Sequence, residues 1–434
     1  MRASETVIEK PHPFPARVGW FNGLAKRMVL MRLGGIREGR MTLIDGAERH
    51  EFGSASDEFS VGATIRVLHP RFYNALAFGG SIGAGESYMA GHWQCDSLTS
   101  AVRILLRNYD VLSNMDDSAG RITAPLHKMF HWLHRNTKDG SRKNIAAHYD
   151  LGNDMFQLFL DETMMYSCGV FDRPDSTLEE ASMAKIDRIC RKLDLSPADH
   201  ILEIGTGWGG FALHAAKRYG CRVTTTTISR EQHALAVERV ETAGLGDRIT
   251  VLCQDYRDLD GQYDKLVSIE MIEAVGYEFF DNYFEQCSRL LKPEGMMLLQ
   301  AITIADQRYE AARHDADFIQ RYIFPGGCLP SVAAINDSIA RVTNMRLFHL
   351  EDIGPHYATT LRHWRDRFIA NVDAVRALGY PKSFVRMWEF YFCYCEGGFL
   401  ERSVGTVQAL FTKPSCRRDA LLPPLQAAVA TPTP

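Results

Sequence analysis

No run of roughly eighteen apolar residues occurs in this chain, which excludes an ordinary membrane-spanning helix. An excess of positive charge is missing as well. With 49 Lys and Arg against 53 Asp and Glu, the net charge of −4 argues against a dedicated nucleic-acid binder. Cysteine is sparse: ten in 434 residues, at 95, 168, 190, 221, 253, 287, 328, 393, 395 and 416. No two stand in a Cys-x-x-Cys pair, so neither a disulfide scaffold nor a zinc site is expected, and no metal is assigned. The opening residues, MRASETVIEKPHPFPARVGWF, place acids and prolines where a secretory signal needs an apolar stretch. These absences predict a cytoplasmic enzyme with reduced thiols.

What is present falls into parts. The length predicts two domains. Residues 1–20, rich in Pro and charge, read as a flexible arm. The strand-like runs MTLIDG (41–46) and ATIRVLH (63–69) precede helical stretches, PRFYNALAFGG (70–80) and SIGAGESYMAGHWQCDSLTSAVRILLRN (81–108). This predicts a small α/β domain over 21–115, whose order resembles the sterol-carrier type of lipid-binding domain. Residues 116–143 read as a linker. Within it, residues 121–143 carry six Lys and Arg against one Asp, with Leu126, Met129, Phe130 and Leu133 at helical spacing. Such a helix can lie on an anionic membrane, or pack between domains with its basic face in water. Over 144–414 strands alternate with helices, the grammar of parallel β-α-β units. The strands read HILEIG (200–205), RVTTTTIS (222–229), RITVLCQD (248–255), YDKLVSIEMI (263–272) and GMMLLQAITI (295–304), with a last strand in TVQALFTK (406–413). A Pro/Ala tail, 415–434, closes the chain.

The turn after the first of these strands reads Glu203-Ile204-Gly205-Thr206-Gly207-Trp208-Gly209-Gly210. Glycines there let backbone N–H groups and a helix N-terminus approach a ligand. A dinucleotide site would place an acid about 20 residues on, at the tip of the next strand. Here that strand ends TTTTIS, and the acid, Glu203, precedes the glycines. E-x-G-x-G-x-G is the pattern of class I methyltransferases that use S-adenosylmethionine. Asp255, at the end of the third strand, stands where that fold places an acid near the adenine.

Seven ordered stretches carry a narrower resemblance: HYDLGNDMFQLFLDETMMYSCGVF (148–171), LEIGTGWGG (202–210), TISREQ (227–232), QDYRDL (254–259), YIFPGGCLPS (322–331), HYATTLRHWRDRF (356–368) and CYCEGGF (393–399). Over about 80–413 the chain resembles the cyclopropane-fatty-acyl-phospholipid synthases, including the mycolic acid cyclopropane synthases. The fold implied is a Rossmann-like α/β methyltransferase domain beside the smaller N-terminal α/β domain. The activity implied is methylene transfer from S-adenosylmethionine to the cis double bond of an acyl chain in a membrane phospholipid, at the inner face of the membrane and with a homodimer common in the family. By position, the resemblance assigns Tyr166, Ser167, Glu203, Gly205, Gly207, Gly209, Thr227, Ser229, Gln232, Asp255 and Tyr256 to the cofactor. It assigns Cys168, Glu273, Gln300, Ile302 and Tyr357 to a bicarbonate ion that serves as base, and Cys395 to the active site.

Two positions depart from the family pattern. Gln300 stands where the family has a bicarbonate-holding histidine, and Ala274 where it has the histidine of a Glu-His pair. Glutamine donates a hydrogen bond to an anion but carries no charge. Bicarbonate is therefore in question, and two outcomes stay open: ring closure to a cyclopropane, or a methyl-branched or methylene-bearing chain. A small-molecule methyltransferase and a non-catalytic lipid-binding protein are the other classes the residues allow. For the paired cysteines, Cys393 reads as core. Cys395 reads as a neutral thiol shaping the pocket, because a thiolate beside a carbocation would be alkylated.

Overall fold

The computed structural model describes residues 19–109, 140 and 152–421. The expected linker lies outside the described residues except for Gly140, as do residues 1–18 and 422–434. Helix α1 (Gly19–Leu33) begins inside the span expected to be a free arm and buries Ala25, Val29 and Leu33 along one face. Its Lys26 pairs at 2.6 Å with Asp45 of a four-stranded sheet of order β2-β1-β3-β4, made of β1 (Arg40–Asp45), β2 (Glu48–Phe52), β3 (Gly62–Val67) and β4 (Trp93–Cys95). β1 and β3 run parallel, whereas β2 and β4 are antiparallel to their neighbours.

Helix α2 (Arg71–Met89) is kinked at Gly80, which has φ of 51° and ψ of −137°. The helical stretch expected over 81–108 is interrupted. Gly91, at φ of 75°, turns the chain into β4, and only then does α3 (Leu98–Arg107) start, with Ser97 Oγ accepting the Ser100 N–H as its cap.

After α4 (Leu178–Leu193), whose start is fixed by a Thr177–Glu180 capping box, comes the large sheet. Its strands are β5 (His200–Ile204), β6 (Arg222–Thr227), β7 (Ile249–Cys253), β8 (Tyr263–Ile269), β9 (Leu291–Ile304), β10 (Arg346–Asp352) and β11 (Val404–Thr412), in the order β10-β11-β9-β8-β5-β6-β7. The five from β5 to β9 are parallel, as their apolar, β-branched runs predict for strands covered on both faces. β11 and β10 add on antiparallel, and β10 had no counterpart in the sequence reading. Because β5 lies between β6 and β8, the chain switches sides of the sheet there, leaving a crevice at the carboxyl ends of β5 and β8.

Helix α5 (Arg230–Thr242) follows β6, and α6 (Gly354–Ala370) and α7 (Lys382–Leu400) pack together as a pair. Helix α7 also joins the two sheets. Its Glu389 accepts from Tyr88 at 2.8 Å, its Glu396 accepts from Thr99 at 2.8 Å and pairs with Arg365, and Arg103 reaches Glu401 at 2.5 Å just past its end. At Gly397 a Cβ would stand 2.6 Å from Val102 Cγ1, so the missing side chain is what lets α3 come this close. One apolar cluster therefore runs from Met41 and Phe72 beside the small sheet through to Phe159, Trp364 and Trp388.

Candidate active site

The crevice opens into a cavity of about 1450 Å³ that reaches from the Gly205 turn, past Cys395 and Phe399 on α7, to Leu98 and Leu105 on α3. At the turn, Gly205, Gly207 and Gly209 have φ of 103°, 53° and 85°, a region that favours glycine. Gly205 is closed off further, because a Cβ there would lie 3.2 Å from Met271. At Gly207 a Cβ would meet nothing within 4 Å, so that glycine borders open space, as a turn shaped around a ligand should.

Glu203 is buried in β5 and accepts from Thr225 Oγ1 at 2.6 Å; burial raises its carboxyl to about 8. Thr227 donates to Gln232 Oε1 at 2.8 Å, and Ser229 caps α5 by accepting the Gln232 N–H. Asp255 takes Arg257 on both of its oxygens, at 2.8 and 2.7 Å. Of the residues that the resemblance assigns to the cofactor, Tyr166, Ser167, Glu203, Gly205, Gly207, Thr227, Gln232, Asp255 and Tyr256 border the cavity. Ser229 and Gly209 do not: each stands at the start of a helix behind the turn. Uncharged polar groups, an open-sided glycine turn and one carboxylate make a donor and acceptor set that fits S-adenosylmethionine.

The centre of the site is a residue that the sequence reading passed over. Glu270 follows directly after β8 at a positive φ of 49°, unusual for a residue with a side chain. Its Oε1 accepts the Cys168 N–H at 2.9 Å and Gln300 Nε2 at 2.8 Å, and its Oε2 accepts the Tyr357 hydroxyl at 2.6 Å. Three of the five groups assigned to bicarbonate thus bind a carboxylate of the protein itself. With these donors already used, the residues do not fit a bicarbonate ion. Cys168 and Gln300 do not border the cavity either, and they act on it only through Glu270.

Glu273, one turn further on, accepts the Ile302 N–H at 2.5 Å, while its second oxygen is buried with no hydrogen-bond partner among the described residues. Burial first, and then the nearby Glu270, raises the Glu273 carboxyl to about 8. Burial raises Glu270 too, but its three donors and the Lys185 ammonium oppose this. Of two buried carboxyls sharing a site, the better solvated one carries the charge. Glu270 is that one, and Glu273 holds the proton. Lys185 is the buried cation of the site, donating to Ser167 Oγ at 2.8 Å.

Aromatic rings wall the space beyond. Tyr357 stacks on Phe399 with centroids 4.4 Å apart, and Tyr166 lies 5.0 Å from Trp364 and 6.2 Å from Phe324. Cys395 borders the cavity, and burial pushes its thiol well above its usual range, as expected for a neutral thiol. Cys393 is buried in the core. The assembly offers a cofactor turn, a negative carboxylate and an apolar, aromatic space in one enclosure. It could place a methyl donor against an uncharged chain and take up a proton.

The Mycolic acid cyclopropane synthetase family model matches residues 136–409. The tuberculostearic acid methyltransferase UfaA1 of Mycobacterium tuberculosis is 43% identical over 338 residues, 74% of this chain and 76% of that protein. The cyclopropane-fatty-acyl-phospholipid synthase of Escherichia coli K12 is 39% identical over 360 residues, 82% of this chain and 89% of that protein. Among solved structures, mycolic acid cyclopropane synthase CmaA1 complexed with SAH and CTAB superposes with a TM-score of 0.59 at 32% identity, covering 63% of this chain and 98% of that one.

Proposed function

The chain belongs to the mycolic acid cyclopropane synthetase family of S-adenosylmethionine-dependent methyltransferases, and from that premise we propose that it methylates the cis double bond of unsaturated acyl chains in membrane phospholipids and closes a cyclopropane ring. The observation that carries the chemistry is the Glu270 carboxylate, held by three donors at the edge of an apolar cavity. S-adenosylmethionine would supply the methyl group as an electrophilic sulfonium.

The protein's own share follows from what an alkene needs. It is a weak nucleophile, so the chain must be held in line with the donor, and the aromatic walls do this without offering a competing base. When the π electrons form the new C–C bond and the C–S bond breaks, the chain carries a cation. The rings of Tyr166, Phe324, Tyr357 and Phe399, which border the cavity, would stabilise it, and Glu270 supplies the opposing charge. The proton then leaves the new methyl group for Glu270, and its bonding pair closes the ring.

A second reading has its own support. Glu270 stands in the place assigned to bicarbonate, Ala274 replaces a histidine, and the 43% identical relative is named a tuberculostearic acid methyltransferase. If Glu270 takes the proton from a chain carbon instead, the product keeps a double bond in the chain and gains a methyl branch; if a hydride shift first moves the cation to the methyl-bearing carbon, loss of the methyl proton to Glu270 gives a methylene branch.

The small N-terminal sheet fits the same reading as the holder of the far part of the chain, since α3 lends Leu98, Val102 and Leu105 to the cavity. Phe78, 49% exposed, lies among the lining together with Arg32, Arg308 and Arg321. An apolar and cationic mouth suits an anionic lipid surface. No described helix is long and apolar enough to cross a membrane, so docking would be peripheral. The experiment is to incubate the protein with methyl-labelled S-adenosylmethionine and vesicles of unsaturated anionic phospholipid. Label in the acyl chains supports the reading, and label confined to water-soluble products overturns it. Flotation with those vesicles should weaken in Phe78→Asp; undiminished flotation would remove this mouth from the docking surface.

A further inference from the structure

Gln300 on β9, Gln408 on β11 and Glu351 on β10 are direct cross-strand partners, a polar row across three neighbouring strands. Both glutamines are fully buried. Lys192, near the end of α4 and only 6% exposed, drops its ammonium into this row. Its Nζ donates to Gln408 Oε1 at 2.8 Å and pairs with Glu351 Oε2 at 2.7 Å, with Arg188 on the far side of Glu351. Gln408 Nε2 donates to Gln300 Oε1 at 2.9 Å, and Gln300 Nε2 donates to Glu270 Oε1 at 2.8 Å.

The direction of this chain is fixed at one end. An ammonium has three donors and no acceptor, so it must meet the oxygen of the Gln408 amide. That leaves the Gln408 nitrogen for the Gln300 oxygen, and the Gln300 nitrogen for Glu270. Turning either amide over would set N–H against N–H, or oxygen against carboxylate, inside the protein where nothing else satisfies them. A glutamine at position 300 can equally present an acceptor, so it needs an orienting partner if it is always to donate.

We propose that Lys192 is a positioning residue that acts through Gln408 and Gln300 to keep a hydrogen-bond donor presented to the Glu270 carboxylate. This rests on the reading of Glu270 as the proton acceptor. It gives Gln408 and Lys192, which touch neither cofactor nor substrate, a part in the rate of the reaction.

The test measures kcat and KM with unsaturated phospholipid vesicles and S-adenosylmethionine, together with the urea midpoint, for full-length Lys192→Met, Lys192→Arg, Gln408→Glu and Glu270→Gln. Gln408→Glu is the deciding variant. Its carboxylate still pairs with Lys192 and so keeps the fold, but it has no nitrogen to give Gln300. Its kcat should fall roughly ten- to a hundred-fold, the size of one lost hydrogen bond to a charged group, with both KM values little changed. Lys192→Met should do the same and Lys192→Arg should restore most of the rate. Wild-type kcat in Gln408→Glu alongside a strong loss in Glu270→Gln would overturn the relay and leave Glu270 in place. Wild-type kcat in Glu270→Gln would overturn the reading of Glu270 and the relay with it.

Discussion

Glu270 stands in a backbone conformation that costs a residue with a side chain about 1–3 kcal/mol, and the carboxylate it delivers is the reason to hold it there. Glu270→Gln keeps the shape and removes the base, so kcat should fall by about 10²–10⁴ while S-adenosylmethionine still binds by calorimetry. Loss of binding together with rate would assign Glu270 to the cofactor instead. Glu273 gives a second expectation, in stability. Its carboxyl rises from 4.5 to about 8 on folding, so the folded protein keeps a proton that the unfolded chain has already released. That stability is complete below 4.5 and lost as pH rises toward 8. Glu273→Gln should flatten the fall of the urea midpoint over this range, leaving the part due to the other buried carboxyls, Glu203 and Glu270 among them; a slope as steep as wild type would exclude Glu273 as its source. Cys395→Ser should lower activity only a few-fold, because a neutral thiol contributes packing. Complete loss in a folded Cys395→Ser protein would restore a nucleophile to the mechanism. The resemblance named Cys168, Gln300 and Tyr357, the donors of this centre, but not the Glu270 carboxylate they hold. Glu270 is distinctive only beside Cys168, Gln300 and Tyr357, which lie 102, 30 and 87 positions away, and no local pattern announces such a meeting.

Among elements, the parallel strands were legible because burial on both faces demands continuous apolar, β-branched runs, and the glycine turn after β5 marks where they bind. β10 was not. Its residues Arg346–Asp352 are half-exposed and mixed in polarity, so neither alternation nor an apolar run sets them apart. β4 has three residues and hides inside a helical composition. Helix α7 carries the Cys-x-Cys-Glu-Gly-Gly stretch, whose residues divide the work. Cys395 faces the cavity, Glu396 ties Arg365 to Thr99, and Gly397 admits α3. Gly397→Leu should therefore push the two helices apart and destabilise the protein by about 1–3 kcal/mol, read from its urea midpoint. An unchanged midpoint would mean that the contact with Val102 does not constrain the joint.

For the whole molecule, the continuous core and cavity make the small sheet part of the machinery and not an appendage. The sequence distinguished the two parts by composition, but it could not show that α3 and α7 share one enclosure, because that depends on contacts nearly 300 positions apart. One cavity holding a cofactor turn, a carboxylate and a long apolar space is built to methylate an uncharged chain. The measurement that bears on this most directly is mass spectrometry of the acyl chains after the purified protein has acted on unsaturated phospholipid vesicles with S-adenosylmethionine. The account predicts chains that have gained one CH2 and lost their double bond. A gain of CH2 with unsaturation retained would transfer the claim to the branched product, and acyl chains of unchanged mass would contradict it.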